Sequence, residues 1–317
     1  IKDKLFFFAN AEIQRETTPL PFDSDDYIGD SDLNKLNQLG DFLRNQYGYE
    51  PGTFTNNERF LDSEKLNLKF DYNLNQNNKL ALRFGWVQAD NLEGVQSDRD
   101  DIRFLNASER FLSNTYSSTL EWNSIINSTM SNNLTVGYTL VRDDRDPNGQ
   151  PFPYVNIADG SGEIIFGSEQ FSTANLLDQD ILTINDNFQV YAGKHTLTFG
   201  ANLEFYEMSN LFIPFNYGSY EFDSVDDFLN GNNSSFYIRS YSQVDNVVGD
   251  ESDAIAAFNA AQLGFYVQDE IQVTDNFKAT FGVRFDQPMY DDTPVNQSFN
   301  DNTIPLLEES WDLRGAK

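Results

Sequence analysis

The chain has 317 residues, a net charge of −29 and 15% aromatic residues, with 28 Phe and 15 Tyr. So acidic a chain excludes nucleic acid as a partner, because phosphates demand Lys and Arg. The absence of cysteine excludes disulfides and thiolate metal sites, and no apolar run reaches the roughly 18 residues of a transmembrane helix.

Residues 4–12 (KLFFFANAE) read as a strand. Residues 13–63 show no sustained period and are rich in Asp, Asn, Pro and Gly; they read as a long loop with one short helix over 31–45. Strand 64–74 alternates cleanly, with Leu66, Leu68, Phe70, Tyr72 and Leu74 against Asn67, Lys69, Asp71 and Asn73. An Asn-rich turn leads into strand 79–89, where Leu80, Leu82, Phe84 and Trp86 share a face. After a polar stretch, strands 113–126 and 133–142 form a third unit, and residues 143–180 return to loop composition. Strands 181–192 and 195–207 meet at Gly193-Lys194. The longest loop, 208–260, follows; within it Ser224 to Gly231 reads as a small helix with a serine N-cap and a glycine stop. Strands 261–273 and 277–287 close the pattern around the turn Thr274-Asp275-Asn276, ahead of an acidic tail from Gln287 to Lys317.

Tight turns of about two to six residues therefore alternate with connections of more than twenty. Loops that long are uncommon in compact soluble domains. Short turns on one side and long loops on the other, joined by strands of about ten residues, are the arrangement of outer-membrane barrels. The fold class predicted is all-β: a portion, about nine strands, of a transmembrane antiparallel β-barrel, with long extracellular loops and residues 1–317 in a single barrel domain. Strand 4–12 runs outward, which puts every tight turn on the periplasmic side. The alternative is a soluble or surface β-rich binding or adhesion module, whose apolar face would meet a second sheet.

Residues 263–288, LGFYVQDEIQVTDNFKATFGVRFDQP, resemble a hairpin of TonB-dependent outer-membrane receptors, in particular the Oar-like and SusC-like members of Bacteroidota. Tyr266, Gln268, Asp269, Thr274, Asn276, Gly282, Arg284, Asp286 and Pro288 stand at matching positions; Ile271 replaces a frequent aromatic. The opening IKDKLFFFAN and the Ser224–Gly231 helix resemble further elements of that group. The resemblance implies a barrel of about 22 strands holding an N-terminal plug. It also implies extracellular substrate binding and energy delivered from the inner-membrane motor through a TonB box. Neither plug nor TonB box is recognisable, and no leader precedes the first strand, so the expectation is an internal barrel portion of a larger receptor. The function this implies is active transport of a large nutrient (peptide or oligosaccharide) or Oar-like surface protein traffic. The partners would be outer-membrane lipid, the TonB motor and a surface lipoprotein or other envelope protein.

No catalytic constellation is legible. His195 is the only histidine and starts a strand; no second His or Cys completes a zinc site, and no cofactor is expected. Asp144, Asp146 and Asn148 match the first half of a calcium-binding EF-hand loop, but Val155 stands where the bidentate Glu belongs; an acidic extracellular turn is the competing reading. The loop aromatics Phe212, Phe215, Tyr217, Tyr220, Phe236, Tyr237 and Tyr241 are candidates for ligand stacking, or for packing the loop on itself. Arg284, Arg83 and Lys69 lie on polar faces, suited to lumen lining or plug contact. Trp86, Trp122, Tyr72, Tyr138 and Tyr191 stand near strand ends, where a barrel carries its aromatic girdles. Asp269 falls on an apolar face, which requires either a headgroup-level position or a bulge that reverses the phase.

Overall fold

The computed structural model of the protein describes residues 2–242 and 251–290. Its strands are β1 (Leu5–Pro21), β2 (Asn56–Asn73), β3 (Asn78–Glu93), β4 (Asp101–Arg103), β5 (Glu109–Asn127), β6 (Met130–Pro147), β7 (Tyr154–Asp159), β8 (Gly162–Phe166), β9 (Asn175–Ala192), β10 (His195–Phe212), β11 (Ser219–Phe222), β12 (Phe236–Ile238), β13 (Ala256–Thr274) and β14 (Phe277–Tyr290). Two α-helices, α1 (Leu33–Phe42) and α2 (Val225–Leu229), lie in the connections. The larger sheet has nine strands in the order β1-β2-β3-β5-β6-β9-β10-β13-β14, each antiparallel to its neighbour. A smaller five-stranded sheet is built entirely from the long connections. The acidic tail predicted from Gln287 begins instead as the end of β14; residues 291–317 lie outside the described residues.

Register carries the apolar rows from strand to strand. Leu68 faces Phe84 and Phe70 faces Leu82; Leu82 then faces Leu120, and Leu120 faces Val136. Val136 faces Ile184, Ile184 faces Leu203, and Leu203 faces Leu263. Because the side-chain period is two, this one register fixes a continuous band on one face and a polar wall on the other. A water-soluble sheet must bury such a band under a second layer. Among the described residues nothing does: Phe7 is 78% exposed, Phe281 65% and Val283 73%. The sandwich alternative is thereby overturned, since its second sheet is missing from the face that needs it.

The FFF run of β1 is divided by its pairing. Leu5, Phe7 and Ala9 join the apolar band opposite Tyr72, Phe70 and Leu68, whereas Phe6 and Phe8 turn to the polar wall opposite Asp71 and Lys69. The sheet strands are also longer than alternation indicates, at 14 to 19 residues. Their surplus lies on the side of the long loops. There the outward face changes from apolar to ion-paired: Arg15 to Asp62 at 3.6 Å, Arg110 to Asp90 at 2.6 Å, Arg142 to Asp180 at 2.6 Å. A tilted strand needs about 9–11 residues to cross hydrocarbon, so the remainder stands in water, where polar side chains interrupt the alternation.

Interface-type anchors frame the band. Trp122 Nε1 donates to Asn78 Oδ1 at 3.0 Å beside a tight turn, and the Tyr138 hydroxyl donates to Asp180 at 3.2 Å at the opposite end. Asp269 keeps its phase, facing Leu197 and Phe281, and the β13–β14 irregularity falls later, between Gln272 and Thr274. It lies 2.8 Å from Nδ1 of His195, the first residue of β10, at the rim of the tight turns. No bulge reverses the phase at Asp269; its carboxylate meets His195 near the tight-turn end of the apolar face. On the polar wall Gly200 lies under the Tyr266 ring: a Cβ there would approach Tyr266 Cζ to 2.0 Å. The Tyr266 hydroxyl donates to Asn187 from that position.

Val283→Arg, in the row Phe199–Val267–Val283, places a charge well inside the band and should cost about 2–4 kcal/mol of membrane assembly. Thr135→Arg, on the polar wall, should cost far less. Folding titrations of the full receptor chain into liposomes measure both; equal losses would contradict the assignment of faces.

Candidate functional site

The long connections fold together rather than trailing as loops. Helix α1 starts where the Asp32 carboxylate accepts from the Lys35 amide at 2.8 Å. Leu36, Leu39 and Leu43 recur at helical spacing and bury one face; the helix ends through a π-turn (Leu43–Tyr47) at Gly48, φ 66°. Helix α2 is capped by Ser224, which accepts from the Asp227 amide at 3.1 Å. The Ser224 hydroxyl donates in return to Asp227 Oδ2 at 2.6 Å, holding that carboxyl below its usual range. Val225 and Phe228 of α2 meet the helix α1 leucines and Val155, Ile157, Ile164 and Phe166 of β7 and β8 in one core. Edge-on aromatic contacts bind it, including Phe54–Phe104 at 5.1 Å and Phe166–Phe228 at 5.3 Å. The result is a folded extracellular cap in the order β12-β11-β7-β8-β4.

A buried carboxylate clasps the first connection to this sheet. Asp159, at the end of β7, is 4% exposed. It accepts from the Ser31 amide at 3.0 Å, the Ser31 hydroxyl at 2.9 Å and the Tyr27 hydroxyl at 3.1 Å. Three donors replace the water this carboxylate loses on burial. Burial first, and then the Asp159 charge, push the Tyr27 phenol well above its ordinary value.

The two edges of the cap sheet differ. At β4 the Ser97 hydroxyl accepts from the Arg103 amide at 2.9 Å, and Asn57 donates to the Arg103 carbonyl at 3.1 Å, so side chains close that edge. Among the described residues strand β12 pairs with β11 alone, and its Phe236, Tyr237 and Ile238 are all exposed.

The candidate ligand aromatics separate into distinct positions. Tyr237 lies against Tyr220, ring centroids 4.6 Å apart, with Gly218 (φ 88°) bare beneath them: a Cβ there would stand 3.2 Å from Tyr237 Cε2. Phe236 and Tyr241 are exposed nearby in sequence. Phe215 instead packs on Phe171, centroids 5.6 Å apart. Tyr217 is half-buried, and Phe212 ends β10. Asp144 and Asp146 are exposed residues of β6, held in extended pairing with Leu112 and Arg110, and Asn148 donates to Asn106 at 3.0 Å. The segment is thus a strand end and not the coiled loop of an EF-hand. No group of three metal-binding side chains occurs among the described residues.

On the polar wall, charges are neutralised within the sheet: Lys69 with Asp71 at 2.8 Å, Arg83 with Glu121 at 3.1 Å, Arg284 with Asp286 at 2.7 Å. Between them runs an amide-rich surface, with Asn133 donating to Asn123 at 2.8 Å and Asn202 to Asn185. A shallow cavity of about 670 Å³ opens there, lined by Asn123, Asn133, Asn187, Gln189 and Tyr191 among others.

Two outcomes follow for the clasp. Asp159→Asn replaces an acceptor by a donor facing the Ser31 groups and should destabilise the cap by about 1–3 kcal/mol. The neutral Tyr27 phenol, its folded value raised, contributes stability that is present below about pH 10 and lost as pH rises towards that value. Protease sensitivity of the cap between pH 8 and 11 reads this out; Tyr27→Phe should flatten the alkaline rise.

Residues 34–311 match the family described as an outer membrane beta barrel domain. Among solved structures, the outer membrane transporter YddB from Escherichia coli aligns over 91% of this chain and 32% of its own, at 12% identity and a TM-score of 0.55. Pseudomonas aeruginosa FpvA, solved bound to heterologous pyoverdines, covers 74% of this chain and 33% of its own, at 11% identity and a TM-score of 0.48. The Fiu ferric-catecholate import receptor of E. coli K12 covers 91% and 41%, at 14% identity and 0.46. The chain thus spans about a third of YddB, and no curated protein sequence matches it. The family match extends over most of the chain and agrees with the lipid-ready sheet: the protein belongs to the outer membrane beta barrel domain family and resides in the outer membrane.

Proposed function

We propose that these residues form part of the wall and extracellular cap of a TonB-dependent transporter for a large nutrient, a peptide or an oligosaccharide. The observation that carries the reading is the division of one sheet into two solvents. Its uncovered apolar face suits lipid, its amide-rich polar wall suits an aqueous lumen, and its long loops build an ordered cap over one end. Strands outside the nine complete the barrel, since an open edge in hydrocarbon leaves backbone groups unpaired at several kcal/mol each. Energy reaches the lumen through a plug and TonB box on the parent chain, and the grouping with Oar-like and SusC-like receptors of Bacteroidota rests on the 263–288 hairpin. A surface lipoprotein is a further partner under this reading.

The protein performs no covalent chemistry in this account. Recognition falls to the exposed aromatics of the cap, with Tyr220, Tyr237, Phe236 and Tyr241 as first contacts. Phe215, packed on Phe171, and the half-buried Tyr217 support the surrounding loop in this reading, and Phe212 is an exposed strand end. Asp144, Asp146 and Asn148 remain an acidic strand end without an assigned calcium.

Cells whose growth on a peptide or glycan digest depends on the full receptor test the proposal. Collapsing the proton gradient should stop uptake and spare surface binding. Tyr237→Ala should weaken binding by about 1–2 kcal/mol, roughly tenfold, without altering barrel assembly. Uptake indifferent to the gradient would sink the transport reading.

A further inference from the structure

We propose that the free edge of β12 captures an extended, cationic peptide by strand addition. The inference rests on the reading that the cap receives ligands from outside, and it names which of the two nutrient classes fits. A terminal strand presents backbone N–H and C=O groups with no partner strand, and natural sheets usually blunt such edges with lysine, proline, a bulge or a covering segment. The cap does so at β4, through Ser97 and Asn57. At β12 the sequence is Phe-Tyr-Ile, paired on one side only among the described residues, with all three side chains exposed. Only another extended backbone matches that spacing of donors and acceptors; a sugar offers hydroxyls without the strand period.

Charge selects among peptides. Glu221 stands opposite Phe236 in the register, and Asp223 follows on the same connection; both are exposed, and neither enters an ion pair among the described residues. The neighbouring cation, Arg239, is engaged with the Asn216 carbonyl at 3.0 Å. The Tyr237 ring is half exposed, backed by Tyr220 and kept accessible by the bare Gly218. By strand alternation Glu221 shares a face with Phe236 and the Tyr220–Tyr237 pair shares the other, so an exposed carboxylate on one face and an aromatic pair on the other each suit Lys or Arg side chains of the incoming strand.

The test uses the full receptor chain in lipid nanodiscs and a fluorescein-labelled Lys-Thr repeat decapeptide, followed by anisotropy. The peptide should bind, and N-methylation of alternate backbone amides should weaken it at least tenfold while leaving its charge intact. A Glu-Thr repeat should bind at least tenfold more weakly, and Glu221→Lys should lower affinity for the Lys-Thr peptide. The methylated probe works on unmodified receptor, so the result does not depend on a variant that fails to fold. Equal binding of the methylated peptide, no binding of the Lys-Thr peptide, or pairing of two receptor copies through this edge in sedimentation would overturn the proposal. Peptide bound through the edge without gradient-driven uptake would overturn the transport reading and leave this one standing. Gradient-driven uptake of peptide that is insensitive to methylation would do the reverse.

Discussion

Hydrocarbon offers a peptide group no hydrogen bond, and it offers a phenylalanine no reason to hide. Those two facts together set the architecture. Every N–H and C=O of a crossing strand must be satisfied by another strand, which only a closed sheet achieves. The side chains facing outward gain nothing from a covering layer of protein. The nine-stranded sheet shows both consequences: an antiparallel ladder that joins all nine strands, and a band of Phe, Leu and Val that no other element covers among the described residues.

In water the balance reverses, and the same chain behaves as a globular protein beyond the ion-paired rim. Leu39, Ile102, Ile157, Ile164 and Phe166 are fully buried in the cap, whereas the outward strand residues of equal hydrophobicity stay open. Hydrophobic collapse therefore acts where water is present, and it draws pieces of four separate connections into one core. Asp159 shows how such a core tolerates charge, through convergent hydrogen-bond donors in place of a counter-ion. One packed core thus joins the long connections at the outer ends of the strands.

The strands of the large sheet were legible because period two survives wherever one face meets lipid and the other water. Strand 64–74, with its five alternating apolar residues, could hardly read otherwise. The Ser224 helix was legible from its cap; the helix within 31–45 was legible as an element, but its Asp32 cap was not read from the sequence. What escaped was whatever pairing decides instead of pattern. The division of Phe6, Phe7 and Phe8 between two faces follows from their partners on β2. The outer ends of β5 and β6 carry charges on both faces and so lose alternation, and the outward face of β9 turns acidic at Asp178 and Asp180. The cap sheet escaped for a related reason: β4, β11 and β12 have three or four residues each, too few to show a period, and their neighbours lie far away in sequence. Of the seven loop aromatics, sequence could not separate Phe215, packed on Phe171, from Tyr237 at an open edge.

The most direct measurement is depth-resolved quenching by lipids brominated on their acyl chains, with single tryptophans placed along β10 and β14 of the reconstituted receptor. Tryptophan at Phe199, Phe281 and Phe285 should be quenched strongly, and tryptophan at the intervening Thr198, Gly282 and Arg284 should not. A quenching profile without that two-residue alternation, or protection of all these positions, would contradict a sheet whose one face lies in lipid.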